Sequence, residues 1–405
     1  MSNVEANSIA ARSLRRPFWA RLLCGWVDKI AAGQIAIRFP DGSIHRAQGM
    51  LPGPSAILHV RSGRLVWKLA TGGALGFARA YLDGDWDSPD LGAVLQLGMA
   101  NEEALASVLG APRPARLFAL LRHRLRANTR AGSRRNIAFH YDLGNDFYRL
   151  WLDETMTYSS AMFRSDDQSL ADAQRTKYAR IVEKLALRPD DHVLEIGCGW
   201  GGFAEYAARE AGCRVTGLTL SSEQADFARE RLAQAGLSGK VEIRLQDYRD
   251  CAGKFDKVVS IEMFEAVGEE NWPTYFDALR SLLRPGGRAM VQSITIADEH
   301  FADYRRNADF IQTYIFPGGM LPSPTAFTSV ASERGLAVLE QKFFGAEYER
   351  TLLAWERAFV AAWHRIEPLG FDARFKRMWT YYLHYCATGF RAGRIDVGQF
   401  LLAGD

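Results

Sequence analysis

Cysteine is scarce in this chain: there are five in 405 residues, at positions 24, 198, 213, 251 and 386, with no Cys-x-x-Cys among them. That excludes a disulfide framework and a zinc site of the usual spacing, and it fits a reducing, cytoplasmic compartment. Also missing is any run approaching the ~18 continuous apolar residues of a membrane-spanning helix. The most apolar part of the start carries Arg12, Arg15, Arg16 and Arg21, unlike a signal peptide. Nor is there an excess of one charge, since 50 Lys plus Arg against 47 Asp plus Glu leaves +3, too near balance for the whole chain to bind nucleic acid. With 48% hydrophobic residues, 36 Gly and 14 Pro, disordered and collagen-like chains are excluded. A soluble or peripheral protein of two or three domains is expected.

Residues 17–31 place Phe18, Leu22, Leu23, Trp26 and Ile30 at helical spacing, with Pro17 suited to a first helical position. A strand over 33–42 then runs into a turn at Asp41-Gly42, and segments 56–60 and 64–69 flank Ser62-Gly63, which predicts a hairpin. Helical patterning returns over 74–111, so residues 1–111 are predicted to form a small α+β domain. Residues 112–135 carry eight arginines and no acidic residue, with Leu117, Leu120, Leu121 and Leu125 at three- and four-residue spacing. This stretch reads either as a basic amphipathic helix suited to an anionic membrane surface or as a solvated linker; nucleic acid is not an expected partner.

Beyond about residue 170, short β-branched runs alternate with long amphipathic stretches, the pattern of a parallel sheet with crossover helices. The predicted strands are His192–Ile196, Arg214–Leu220, Val241–Leu245, Lys257–Ile261 and Arg288–Ile294, and the predicted helices are Gly202–Glu210, Ser222–Ala235 and Trp272–Leu283. Such an α/β domain binds its ligand at the carboxyl ends of the strands.

Val193-Leu-Glu-Ile-Gly-Cys-Gly-Trp-Gly-Gly202 is a hydrophobic strand entering a glycine-rich turn. Gly197, Gly199 and Gly201 let a ligand approach the backbone where a Cβ would collide with it. Gly197-x-Gly199-x-x-Gly202 also satisfies the dinucleotide pattern. Against that reading, the next strand ends in Gly217-Leu-Thr-Leu-Ser221, with no acidic residue for a nicotinamide ribose. Glu195, two residues before the first glycine, suits the amino group of a methionine moiety. The pattern therefore favours S-adenosylmethionine.

Several segments, in order, are similar to the cyclopropane-fatty-acyl-phospholipid synthase family, which includes the mycolic acid cyclopropane synthases. They are Phe139-His-Tyr-Asp-Leu-Gly-Asn-Asp-Phe147, Met156-Thr-Tyr-Ser-Ser160, Leu194-Glu-Ile-Gly-Cys-Gly-Trp-Gly201, Gly217-Leu-Thr-Leu-Ser-Ser-Glu-Gln224, Met263-Phe-Glu-Ala-Val-Gly268, Ile315-Phe-Pro-Gly-Gly319 and Cys386 with Phe390-Arg391. The resemblance covers about residues 136–402, and Tyr81-Leu-Asp-Gly-Asp-Trp86 extends it loosely to the extra domain of the phospholipid-acting members. It implies a Rossmann-like, seven-stranded class I methyltransferase domain over 136–405, preceded by a lipid-associated N-terminal domain. The implied reaction moves a methyl group from S-adenosylmethionine to the double bond of an unsaturated phospholipid acyl chain, at the inner face of the cytoplasmic membrane. Oligomeric state is left open, a homo-oligomer included.

Such chemistry needs proximity to the sulfonium methyl, a dry pocket, aromatic faces for the carbocation and a base for the last proton. In the family the base is a bicarbonate held by a Cys, a Glu, a His, an Ile backbone and a Tyr. The resemblance puts the glutamate at Glu265, the isoleucine at Ile294 and the tyrosine at Tyr348. Here Ser160 stands at the cysteine position and Gln292 at the histidine position, two departures in one small site. Ser160 still offers a hydroxyl and Gln292 an amide. The resemblance implies a cyclopropane fatty acid as the product, and the departures raise the alternative of a methyl-branched, uncyclised one.

For the cofactor, the resemblance implies Tyr158 and Ser159 at the methionine end, Gly197 and Gly199 along the backbone, Thr219, Leu220 and Gln224 near the ribose, and Asp247 and Tyr248 at the adenine. Tyr158 also reads as a core tyrosine, and Gln224 as the capping-box partner of Ser221. Glu262, three residues before Glu265, either shares a helical face with it or closes a strand. His140 and Cys386 match site positions of the family, with packing as the alternative for each. The aromatic run Trp379 to Tyr385 reads as helix core or as the wall of an acyl tunnel.

Overall fold

The structure, a computed structural model, describes residues 16–110 and 143–404. The chain divides into two compact units, Met1–Pro112 and Arg113–Asp405.

The first unit contains α1 (Phe18–Val27), β1 (Ala32–Arg38), β2 (Ile44–Gln48), β3 (Leu51–Val60), α2 (Arg64–Leu82), β4 (Trp86–Asp87), α3 (Leu91–Ala100) and α4 (Ala106–Leu109). Its sheet runs β2-β1-β3-β4, with β1 antiparallel to β2 and parallel to β3. The turn at Asp41-Gly42 forms as predicted: Asp41 Oδ1 accepts the Ser43 N–H at 2.9 Å, and Gly42 sits at φ +82°. The hairpin predicted across Ser62-Gly63 does not form, because residues 64–69 open helix α2 instead. Leu65, Val66 and Leu69 share one buried helical face while Trp67 points to solvent, whereas strand alternation would have buried Trp67 beside Leu65 and Leu69.

The second unit contains α5 (Asn145–Arg149), α6 (Leu170–Leu185), β5 (His192–Ile196), α7 (Gly202–Glu210), β6 (Arg214–Thr219), α8 (Ser222–Gln234), β7 (Val241–Leu245), β8 (Phe255–Ile261), α9 (Trp272–Leu282), β9 (Leu283–Ile296), α10 (Asp298–Tyr304), α11 (Pro324–Glu333), β10 (Leu336–Phe343), α12 (Gly345–Ile366), α13 (Ala373–Arg391) and β11 (Ile395–Gly404). Its seven strands lie in the order β10-β11-β9-β8-β5-β6-β7. All pairings from β9 to β7 are parallel, and β11 runs antiparallel to both β9 and β10. The five strands read from the sequence are present to within a few residues at either end. Neither β10 nor β11 was among them.

Successive residues of β5 face opposite layers. Val193 packs with Ile181, Ala207 and Leu232, while Leu194 and Ile196 pack with Phe264, Phe276 and Phe327. Chain order reverses between β5 and its neighbour β8, so connections leave in opposite directions and open a crevice at the carboxyl ends of these strands. The glycine turn, Glu262 and Glu265 all stand there.

Candidate active site

The turn after β5 is built for close approach. Gly197, Gly199 and Gly201 sit at φ +81°, +51° and +81°, conformations that cost an L-residue about 1–2 kcal/mol. A Cβ on Gly197 would lie 2.9 Å from Met263 Cγ, whereas one on Gly199 would meet no protein atom within 4 Å. The Gly197 and Cys198 amides donate to the Leu218 carbonyl at 3.0 and 2.8 Å, holding the turn against β6. Glu195, at the end of β5, is buried, and its Oε2 has no hydrogen-bond partner. Desolvation pushes its carboxyl well above the ordinary range, opposed by the Lys177 ammonium. An orphaned acceptor beside a turn open on one side fits the amino group and backbone-hugging body of S-adenosylmethionine.

At the end of β6, Thr219 Oγ1 donates to Gln224 Oε1 at 2.9 Å, and Ser221 Oγ caps α8 by accepting the Gln224 N–H at 3.3 Å. Only half of the capping box forms, since the Gln224 amide turns to Thr219. Leu220 follows, partly exposed. Asp247 is buried and gripped by Arg249, which donates Nε at 2.9 Å and Nη2 at 2.6 Å. Burial pushes the neighbouring Tyr248 phenol up to about 12.

The second cluster centres on a carboxylate to which the resemblance assigns no role. Glu262 directly follows β8 at φ +50°, so the strand-end reading holds and the shared helical face with Glu265 does not form. Its Oε1 accepts the Ser160 N–H at 2.8 Å and Gln292 Nε2 at 2.7 Å, and its Oε2 accepts the Tyr348 hydroxyl at 2.7 Å. The hydroxyl expected to serve at Ser160 donates instead to the Ala161 carbonyl at 3.0 Å, so it is the Ser160 amide that faces the site. Ile294 N–H donates to Glu265 Oε1, and Glu265 Oε2 has no partner. Desolvation, then the Glu262 charge, pushes the Glu265 carboxyl up to about 8. The Glu265 carbonyl accepts the Met320 N–H at 2.8 Å, tying the Ile315–Gly319 segment to the site.

Lys177 on α6 was missed, although Gln174, Tyr178, Ile181 and Leu185 mark the buried stripe on which it falls. It is fully buried, its ammonium donating to Ser159 Oγ and, at 2.7 Å, to Gln174 Oε1. Desolvation lowers it to about 7 against the charges of Glu262, Asp153 and Glu195. A fall from 10.5 to about 7 disfavours the ammonium by about 5 kcal/mol.

Aromatic rings complete the site. Tyr158 lies 5.5, 5.6 and 5.2 Å from Tyr148, Trp151 and Trp355, and its hydroxyl meets that of Tyr382 at 2.9 Å. Trp355 also flanks Tyr348 at 6.1 Å, and Phe390 lies 4.6 Å from the same ring. Within the run 379–385, Trp379 belongs to the core beside Phe375, while Tyr382 reaches Tyr158. Burial, then Asp309, pushes the Cys386 thiol far up, so it stays neutral. His140 and the arginines of 112–135 lie outside the described residues. Among the described residues, no His, Cys, Asp or Glu group could hold a metal ion, and no helix is long and apolar enough to cross a membrane.

This sheet order, with a glycine turn after β5, defines a class I S-adenosylmethionine-dependent methyltransferase. The chain belongs to the mycolic acid cyclopropane synthetase family, which matches residues 128–400. It is 41% identical over 358 residues to tuberculostearic acid methyltransferase UfaA1 of Mycobacterium tuberculosis, covering 86% of this chain and 83% of the relative. It is 39% identical over 344 residues to cyclopropane-fatty-acyl-phospholipid synthase of Escherichia coli, covering 82% and 83%. Among solved structures it is similar to mycolic acid cyclopropane synthase CmaA1 complexed with SAH and CTAB, at 34% identity and TM-score 0.63, covering 66% of this chain and 97% of the other.

Proposed function

We propose that this enzyme methylates the double bond of an unsaturated acyl chain carried by a membrane phospholipid. S-adenosylmethionine supplies an electrophilic methyl group on a sulfonium. The residues we assign to holding it are Glu195, Gly197 and Gly199, with Tyr158 and Ser159 at the methionine end, Thr219, Leu220 and Gln224 at the ribose, and Asp247 and Tyr248 at the adenine. An isolated alkene is a weak nucleophile, so positioning and exclusion of water carry the reaction. The observation that carries this reading is the ring cluster of Tyr158, Trp355 and Tyr348 set beside two carboxyl groups. Aromatic faces stabilise a carbocation on the acyl chain, and a carboxylate removes its proton.

The product follows from which proton leaves. Loss from the added methyl closes a cyclopropane, as the name of the Escherichia coli relative favours. Loss from a chain carbon gives a methyl-branched alkene, as the name of the Mycobacterium tuberculosis relative favours. We adopt the open-chain product, because Ser160 and Gln292 remove a thiol and an imidazole from the site that handles the proton. For the membrane, we assign contact to the arginines of 112–135 and to the N-terminal unit, whose Met50 and Leu51 are exposed where β3 begins.

The test is formation of S-adenosylhomocysteine with vesicles of unsaturated and of saturated phospholipid. Turnover with unsaturated vesicles alone is expected; equal rates with both, or activity on soluble acceptors indifferent to vesicles, would overturn the reading. Hydrogenation before mass spectrometry separates the isomeric products, since a branched alkene takes up hydrogen under conditions that leave most cyclopropane intact.

A further inference from the structure

Three of the five positions that the family resemblance assigns to a bicarbonate already hold a carboxylate of this chain. Ser160 N–H, Gln292 Nε2 and the Tyr348 hydroxyl all donate to Glu262, at 2.8, 2.7 and 2.7 Å. We propose that Glu262 replaces the exogenous anion and is itself the catalytic base, so that turnover needs no bicarbonate. This inference rests on the methyl-transfer reading above.

The first support is donor arithmetic. A bicarbonate and a side-chain carboxylate each present planar oxygen acceptors to the same donors, and those donors cannot serve both at full strength. Charge gives the second: with the Glu262 carboxylate already in a site of low dielectric, a further anion would meet repulsion. Backbone conformation is the third. Glu262 sits at φ +50°, which a β8 terminus carrying Gly would adopt freely and a glutamate adopts only where its surroundings require it. The fourth concerns Gln292, whose Oε1 accepts from Gln399 Nε2 at 3.0 Å; Gln399 Oε1 in turn accepts from Arg180 Nη1 at 2.6 Å. Arginine only donates, so this relay fixes both amides and leaves the Gln292 NH2 facing Glu262. Glu262 also keeps some accessible surface amid buried neighbours, as a group that must meet substrate requires.

The step balances within the site and the acyl chain. A C–H bond on the chain carbon next to the cationic carbon breaks, its electron pair becomes the π bond of the branched alkene and quenches the cation, and the proton becomes the O–H of Glu262. After product leaves, that proton passes to solvent and the carboxylate is restored. Desolvation, then the Glu262 charge, pushes the Glu265 carboxyl up to about 8, whereas the three donors that meet Glu262 favour its ionised form against the upward push of burial.

The experiment compares the full chain and its variants in carbonate-free buffer with and without added bicarbonate, on vesicles of a dioleoyl phospholipid. The wild-type rate is expected to be unchanged by bicarbonate, and calorimetry is expected to show no bicarbonate binding. Glu262→Gly, which opens the slot and relaxes the backbone, should lose about 100-fold in turnover, bind bicarbonate, and recover at least tenfold with bicarbonate or formate. Glu262→Gln, which keeps the shape, should lose as much without rescue. A wild-type rate that rises saturably with bicarbonate, near-normal turnover of Glu262→Gln, or a folded Glu262→Gly that no small anion rescues would overturn the assignment. A wild type that forms no S-adenosylhomocysteine with unsaturated vesicles would instead sink the methyl-transfer reading.

Discussion

Tyr348→Phe removes one oxygen from the site and almost nothing else. The ring keeps its contacts with Phe390 at 4.6 Å and Trp355 at 6.1 Å, while Glu262 Oε2 loses the hydroxyl that donates to it at 2.7 Å. What remains on the carboxylate, the Ser160 amide and the Gln292 amide, both serve Oε1. A hydrogen bond to a charged group contributes about 1.5–3 kcal/mol, which at about 1.4 kcal/mol per decade is a factor of about 10 to 100. The lost donor stabilised the ionised form, so its removal raises the Glu262 carboxyl further. The other titratable groups nearby, Glu265 and Lys177, are untouched. The acidic limb of the pH–rate profile should therefore move up by about one to two pH units. Below it turnover falls about 10- to 100-fold and recovers as pH rises, with S-adenosylmethionine affinity within about threefold of wild type. Rates of S-adenosylhomocysteine formation across pH, with calorimetric cofactor titration, measure both. A profile that keeps its limb and its height would refute the reasoning that Tyr348 acts by holding a catalytic carboxylate.

Gly197→Ala places a Cβ 2.9 Å from Met263 Cγ at φ +81°; a stability loss of about 2 kcal/mol by urea titration and cofactor binding weakened at least tenfold are expected. Lys177→Met tests the buried ammonium through stability. The lysine titrates at 10.5 unfolded and about 7 folded, so between those values the unfolded chain holds the extra proton and stability rises with pH. The variant should lose that rise, at most about 1.4 kcal/mol per pH unit, and an unchanged slope would count against the burial argument. Glu265→Gln has the opposite sign. Its carboxyl goes from 4.5 unfolded to about 8 folded, so wild-type stability falls as pH rises through that window and the variant should not share the fall. Reversing Arg113, Arg116, Arg122 and Arg124 should weaken sedimentation with anionic vesicles and spare cofactor binding; unchanged sedimentation would remove the membrane role from that segment.

The parallel sheet was legible because its strands are short apolar runs separated by long amphipathic stretches, and the glycine turn because only Gly tolerates its backbone. Strands β10 and β11 escaped for physical reasons. In β10, Glu340, Gln341 and Lys342 stand on an exposed edge, and β11 carries Gly398 and Gln399 where a buried strand usually shows β-branched residues. Ser62-Gly63 misled because turn chemistry there starts a helix rather than a hairpin, a choice settled by where Trp67 can point. Within the site, the structure brings together Ser160, Gln292, Ile294, Glu265 and Tyr348, the positions to which the resemblance points. Glu262 was read either as sharing a helical face with Glu265 or as closing a strand; the second holds, and only its left-handed backbone reveals that it turns into the cluster.

The buried charges then explain one another. Glu262 alone would be a costly anion in a dry site, and Lys177 alone an equally costly cation. Each shifts the other toward its charged form, and Asp153 and Glu195 add to the pull on the lysine. Lys177 donates to Ser159 Oγ, and the next residue, Ser160, donates its amide to Glu262, so one short segment couples cation to carboxylate without direct contact. That separation matters chemically. A direct ion pair would neutralise the base, whereas a lysine held behind the Ser159-Ser160 backbone stabilises the carboxylate at a distance and leaves its oxygens to their three donors. A cation forming on the acyl chain would then meet the Glu262 carboxylate on one side and ring faces on the other, the arrangement that favours both its formation and the loss of its proton.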